Sequence, residues 1–148
     1  MTSSDRKAVL MPEKSKAGII VHHSYGKSKV RLTKVSRQPD RHELKELNVD
    51  IALEGDFEET YTTGDNARIV ATDSMKNTVY VLAAEHPLDD IESFAKTLAA
   101  HFIQKYEHVQ KATINIAEDL WQRILLKGEA HAHAFVSAGA EKRVTKVV

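Results

Sequence analysis

Lys27, in the first β-branched stretch of the chain, is the first residue whose type and setting could support acid–base chemistry. It follows Tyr25 and Gly26. A glycine inside a strand pattern suggests a bulge or a close backbone approach. A lysine buried at such a bend could exchange protons, because burial lowers the pKa of a lysine. The alternative is a solvated lysine in a turn, the commoner environment for this residue type.

A hydroxyl and a carboxylate lie side by side in residues 70–77, at Thr72 and Asp73, just before an apolar helical pattern. At the start of a helix, backbone N–H groups would face an anion or a polar ring. The alternative is plain helix capping by Thr72 or Asp73, since these residue types commonly cap helices.

A pair of histidines, His131 and His133, is separated by one alanine. Alternate residues of a strand face the same side, so both rings could bind one metal ion. Two ligands are fewer than such a site needs. The alternative is a half-exposed pair beside a turn, and the pattern leaves both interpretations open.

Composition and charge limit the class of protein. The chain has 148 residues, the size of one domain, with 21 basic and 21 acidic residues. This balance argues against a nucleic-acid or membrane-surface protein.

Cysteine is absent, which excludes disulfide and thiolate chemistry and fits a cytosolic protein. Residues 1–16 are polar and lack the apolar core of a secretory signal, so we expect a disordered leader there.

The elements that must position these residues begin with strands. Residues 18–35 favour a strand interrupted near Gly26. A second, half-buried strand is predicted by the alternation of four apolar residues with polar ones: Leu47, Val49, Ile51 and Leu53. Turns are expected at residues 38–40 and 62–66.

Two helices are predicted next. The first covers residues 75–84. The second begins at Asp89, which has capping-box spacing to Glu92. Its apolar stripe has the spacing of a buried helix face: Ile91, Phe94, Ala95, Leu98, Ala99, Phe102 and Ile103.

Strands return after the helices. One begins near Ala112, and its apolar residues share one parity: Ile114, Ile116, Leu120, Ile124 and Leu126. Another covers residues 130–137 and resumes at 143. Because the sequence stops at Val148 within a β-branched run, we expect a strand that continues elsewhere or a chain that has been cut. The order ββααββ predicts an α+β fold, an antiparallel sheet with two helices on one face.

Several segments resemble the urate oxidase (uricase) family, in the family's order, over roughly residues 18–148. They are Tyr25-Gly26-Lys27, Leu53-Glu54-Gly55-Asp56-Phe57, residues 64–80, His101-Phe102-Ile103 and His131-Ala132-His133-Ala134-Phe135. The resemblance implies a T-fold (tunnelling fold), of which urate oxidases have two copies in tandem. Residues 17–148 would be the first T-fold domain, and the second is absent from this chain.

The resemblance also implies an activity. Urate oxidases convert urate and O₂ to 5-hydroxyisourate and hydrogen peroxide without a metal or an organic cofactor. Lys27 falls on the family's catalytic lysine, Thr72 on its threonine partner and Asp73 on the adjacent aspartate that contacts substrate. The lysine and threonine relay protons from urate together with a histidine.

The family's site forms between subunits. The arginine and glutamine that grip urate, the stacking phenylalanine and the relay histidine lie in the second T-fold domain. We therefore expect an enzyme that is incomplete without a C-terminal T-fold half and further subunits of a tetrameric tunnel. Its location would be cytoplasmic, or peroxisomal in a eukaryote. Two alternatives are a zinc-dependent pterin-type T-fold enzyme using His131 and His133, and a non-catalytic T-fold subunit.

Overall fold

A single antiparallel sheet forms the frame of the molecule. The computed structural model describes residues 18–148, and the leader expected at residues 1–16 lies outside the described residues. The four strands follow one another across the sheet in chain order: β1 (Tyr25–Arg37), β2 (His42–Gly55), β3 (Val109–Leu126) and β4 (Glu129–Val147).

Helices occupy the chain between β2 and β3. They are α1 (Glu58–Thr62), α2 (Thr72–Glu85) and α3 (Ile91–Lys105). The predicted α+β class and the order of its main elements are confirmed. The short α1 is an addition, which the turn-forming composition of residues 62–66 gave no reason to expect.

The core lies between α2, α3 and one face of the sheet. All four alternating apolar residues of β2 are at most 2% exposed, as predicted. The stripe of α3 is also buried, apart from Ala99 and Ile103 at its margin. A strand that buries every second residue and a helix that buries every third or fourth can share one core in this way.

The opposite face of the sheet is not uniformly solvated. Strict alternation predicts an exposed Glu46, yet this residue is only 3% exposed. Its carboxylate pairs with the Arg31 guanidinium and accepts a hydrogen bond from Trp121 Nε1 at 2.8 Å. A buried carboxylate needs such partners, because an unpaired buried charge is strongly destabilising.

Three strand boundaries differ from the prediction. β1 begins at Tyr25 instead of residue 18. β3 and β4 extend past β2 as a hairpin, so Ile124 and Leu126 are exposed although they share parity with the core. β4 is one strand with an irregularity near residues 138–141 instead of two separate runs. The hairpin turns at Lys127 and Gly128, both with positive φ, as two-residue hairpin loops require.

In the described part of the chain, no helix is both long and apolar enough to cross a membrane.

Candidate functional site

Lys27 is oriented by an irregularity in β1. Lys27 pairs with Ile51, whereas the next paired residue, Val30, opposes Val49. Two residues of β1 therefore face one residue of β2, which defines a bulge. Directly opposed residues of a sheet face the same side, so Lys27 lies on the side of Ile51 and the helices. Without the bulge, Lys27 and Val30 would face opposite sides.

The expected close approach at Gly26 is also present. A Cβ atom built on Gly26 would lie 1.8 Å from the carbonyl oxygen of Ile51, a distance that no real side chain tolerates. Beyond the bulge, Lys29 adopts a positive φ of 55°, and its N–H donates to Asp50 Oδ1 at 2.6 Å. On one side of Lys27 the strands thus approach too closely for a side chain, and on the other side a backbone N–H of the bulge bonds a carboxylate of β2.

Thr72 and Asp73 are the first two residues of α2. The predicted capping role is wrong: the helix begins at Thr72, and Ala71 at the N-cap position makes no side-chain capping bond. Both side chains are exposed. The first helical amides have no carbonyl partner within the helix, so this end of α2 presents N–H groups together with a hydroxyl and a carboxylate.

Electrostatics link α2 to the lysine of β1. Lys76 donates to Asp73 Oδ1 at 3.1 Å, and this bond is the main reason that the pKa of Asp73 lies below its usual value. The charge of Lys27 lowers the same pKa further. The positive charges of Lys76 and, to a smaller extent, Lys27 therefore favour the ionised form of Asp73 at the start of α2.

Tyr25 joins the two segments directly. Its hydroxyl oxygen accepts the Val70 N–H at 2.7 Å and donates to the Val70 carbonyl at 3.4 Å. Three further hydrogen bonds hold β1 against α2. The Tyr80 hydroxyl donates to the Arg31 carbonyl at 3.0 Å, and Lys34 Nζ donates to two carbonyls at the end of α2, those of Ala83 and His86.

The histidine pair does not assemble as a metal site. His131 Nδ1 accepts the N–H groups of His133 and Ala134 at 3.1 and 3.0 Å, which occupies that nitrogen. The His133 ring lies nearer His42, with centroids 4.2 Å apart, than His131, at 6.2 Å. Among residues 18–148, no three His, Asp or Glu side chains come together as a metal would require.

One residue near this site, Tyr25, carries a role that the residue pattern did not reveal. The sequence pattern presents Tyr25 only as a neighbour of Lys27. The spacing of Tyr25 to Lys27 is the one available signal, since two residues apart on a strand means the same face. The contact between Tyr25 and Val70 spans 45 residues, and local pattern gives no access to it.

Comparison with known proteins agrees with the fold. The family model described as Uricase matches residues 23–148. Over 125 residues the chain is 42% identical to the uricase of Cyberlindnera jadinii, covering 82% of this chain and 41% of that protein. It is 41% identical to the uricase of Aspergillus flavus over 125 residues, with 83% of this chain and 41% of that protein covered.

Solved structures give the same result. The crystal structure of uricase from Arthrobacter globiformis superposes with a TM-score of 0.79 at 39% identity, covering 87% of this chain and 43% of that one. A hyperthermostable mutant of Bacillus sp. TB-90 urate oxidase superposes with a TM-score of 0.73 at 28% identity, with coverage of 84% and 47%. The chain thus spans about two-fifths of the length of the curated relatives it matches, and it belongs to the uricase family with the T-fold expected from its sequence.

Proposed function

We propose that this chain supplies the lysine–threonine part of a site that oxidises urate. The overall reaction is urate + O₂ + H₂O → 5-hydroxyisourate + H₂O₂. The observation that carries the proposal is that Lys27 lies on the helix side of the sheet and that the Tyr25–Val70 hydrogen bond joins its strand to the residues just before Thr72, where α2 starts. Membership of the uricase family supports the same substrate.

The protein's main task in this reaction is to move protons. Urate must become electron-rich before it can reduce O₂, and loss of a proton makes it so. Lys27 is half-buried, and a lysine must be in its neutral form to accept a proton from urate. The Thr72 hydroxyl both donates and accepts, so it can pass the proton between urate and Lys27.

The start of α2 would hold the polar edge of the purine. The N–H groups of Thr72 and Asp73 belong to the first turn of α2, whose dipole favours a negatively charged ligand. The Asp73 carboxylate, neutralised in part by Lys76, would accept a hydrogen bond from a ring N–H. Lys27 and Thr72 are thus proposed as catalytic residues, and Thr72 and Asp73 as substrate-binding residues.

The rest of the site must come from a second T-fold domain. The chain matches less than half of the length of its uricase relatives, and these residues supply neither a urate clamp nor a relay histidine by resemblance. We propose that residues 17–148 act as the first T-fold domain and associate with a C-terminal T-fold half and further subunits into a tetrameric tunnel. The open edges of β1 and β4 in the described sheet support such association.

Reconstitution tests this function. The part of the Arthrobacter globiformis uricase that follows the matched region would be joined after Val148, or added as a separate chain. We expect loss of urate absorbance with stoichiometric release of peroxide in the completed assembly, and neither from the 148-residue chain alone. Size-exclusion chromatography with light scattering would establish whether the assembly has formed.

An assembled tetramer that binds both halves and leaves urate unchanged would refute the proposal. That result would favour a non-catalytic T-fold subunit. Turnover that depends on stoichiometric zinc would also contradict it and would favour the pterin-type alternative.

A further inference from the structure

We infer that Tyr25 is a positioning residue that sets the Thr72 hydroxyl against Lys27. The inference rests on the proposed function, since it concerns the geometry of the same proton relay. Tyr25 does not act as a catalytic residue, because its hydroxyl is engaged with the backbone of Val70.

The two segments joined by Tyr25 have matching spacing. Tyr25 lies two residues before Lys27, on the same face of β1, opposite Leu53 as Lys27 is opposite Ile51. Val70 lies two residues before Thr72, the first residue of α2. A bond between Tyr25 and Val70 therefore connects the two segments at points that are each two residues from the lysine and the threonine.

The contact uses both polar groups of Val70. A hydroxyl can accept one hydrogen bond and donate another, and the Tyr25 hydroxyl does both, to the N–H and the C=O of a single residue. The two bonds fix the position of Val70 along β1, and hence the point at which α2 begins.

The ring of Tyr25 is held as firmly as its hydroxyl. It packs edge-to-face on Phe57 with centroids 4.8 Å apart, and Phe57 is 1% exposed. Burial raises the pKa of Tyr25, so the hydroxyl stays protonated and can donate across the ordinary pH range. Removal of the hydroxyl alone would leave the ring in place and free Val70, which is itself 4% exposed.

Tyr25→Phe tests the inference, with Tyr80→Phe as the matched control. Both changes remove one hydroxyl that ties β1 to α2, but Tyr80 bonds Arg31 in the middle of both elements, away from Lys27. In the assembly completed with the Arthrobacter globiformis segment, we expect Tyr25→Phe to lower kcat roughly tenfold to hundredfold, as a misplaced reacting group does. KM for urate should rise by a smaller factor than kcat falls, because the same start of α2 is proposed to bind urate, and Tyr80→Phe should stay within about twofold of wild type in kcat.

Amide exchange gives an independent readout on the 148-residue chain without its partner. Tyr25→Phe should speed exchange at Val70 and at the first turn of α2, whereas Tyr80→Phe should not. Equal kcat in wild type and Tyr25→Phe, in an active assembly, would overturn the positioning role while leaving the proposed function intact. A wild-type assembly without urate turnover would instead overturn the proposed function and, with it, this role.

Discussion

Gly26 lies where β1 approaches β2 more closely than a side chain permits. The carbonyl of Ile51 occupies the place of a Cβ atom, one residue before the bulge that turns Lys27 toward the helices. Gly26 has no side chain that could react, but it is part of what orients Lys27, the proposed catalytic residue.

Substituting Gly26 by alanine should destabilise the chain by about 1–3 kcal/mol, the usual cost of forcing extra atoms into a packed region. The measurement is urea unfolding followed by circular dichroism. Gly18→Ala is the matched control, because nothing lies within 4 Å of a Cβ atom built there. Equal stability of the two variants would show that the close approach of β1 to Ile51 does not constrain the strand.

Residue pattern alone could not identify the functional residues of this chain. A lone lysine after a glycine, or a Thr-Asp pair before a helix, is more often a solvated or capping residue than a functional one. Family resemblance selected Lys27, Thr72 and Asp73, and no pattern within the chain could have paired them. What the structure adds is that β1 and α2 bring these segments together although they lie about 45 residues apart in sequence.

At the scale of elements, α3 shows how a helix start is decided. Capping-box spacing pointed to Asp89, but Asp90 is the N-cap: its carboxylate accepts the Ser93 N–H at 3.1 Å and also the Ser93 hydroxyl. Arg143 of β4 donates to Asp90 and Glu92, at 3.4 and 2.7 Å, which ties this end of the helix to the sheet.

Asp90→Ala should lower the Tm of the chain by about 2–4 °C at neutral pH, the effect expected when a domain of this size loses an N-cap. Asp89→Ala should leave the Tm nearly unchanged. Hydrogen bonding with Glu92 and Ser93 holds the pKa of Asp90 below its ordinary 3.8. The contribution of Asp90 is therefore present above that pH and is lost as the pH falls below it.

Thermal unfolding of both variants at pH 7 and at pH 3 provides the measurement. A larger loss of Tm from Asp89→Ala than from Asp90→Ala would contradict the assignment of the cap. An undiminished gap between wild type and Asp90→Ala at pH 3 would contradict the pH dependence.

Elements were predictable where burial is periodic and unpredictable where tertiary contacts set the boundary. The alternation in β2 and the apolar stripe of α3 predicted which side chains are buried. Ile124 and Leu126 continue the same parity, but they lie on the part of β3 that extends beyond β2 and are exposed. The exposure predicted for Glu46 is wrong in the opposite sense. Alternation assigns this residue to the solvent face, but Arg31 and Trp121 bury it there.

At the scale of the whole molecule, the sheet separates two environments. The helix side carries the core and the proposed relay, while the other side carries polar and charged residues such as Lys29, Asn48, Asp50 and Asn115. The bulge in β1 decides on which of these sides each lysine lies. Lys27 faces the helices, and Lys29, two residues later, lies with the polar group on the other face.

Lys27 and Lys29 permit a direct test of the proposed site, because they lie on opposite sides of the sheet. Lys27→Met and Lys29→Met each remove one ammonium group from the same short segment of β1, and they should assemble alike with the Arthrobacter globiformis segment. In the completed assembly, urate decay should slow by roughly 10²–10⁴-fold in Lys27→Met, the usual contribution of a positioned acid–base group. Lys29→Met should retain the wild-type rate within about threefold. A wild-type rate in Lys27→Met, or an equal loss in both variants, would contradict the claim that this chain contributes Lys27 to a urate-oxidising site.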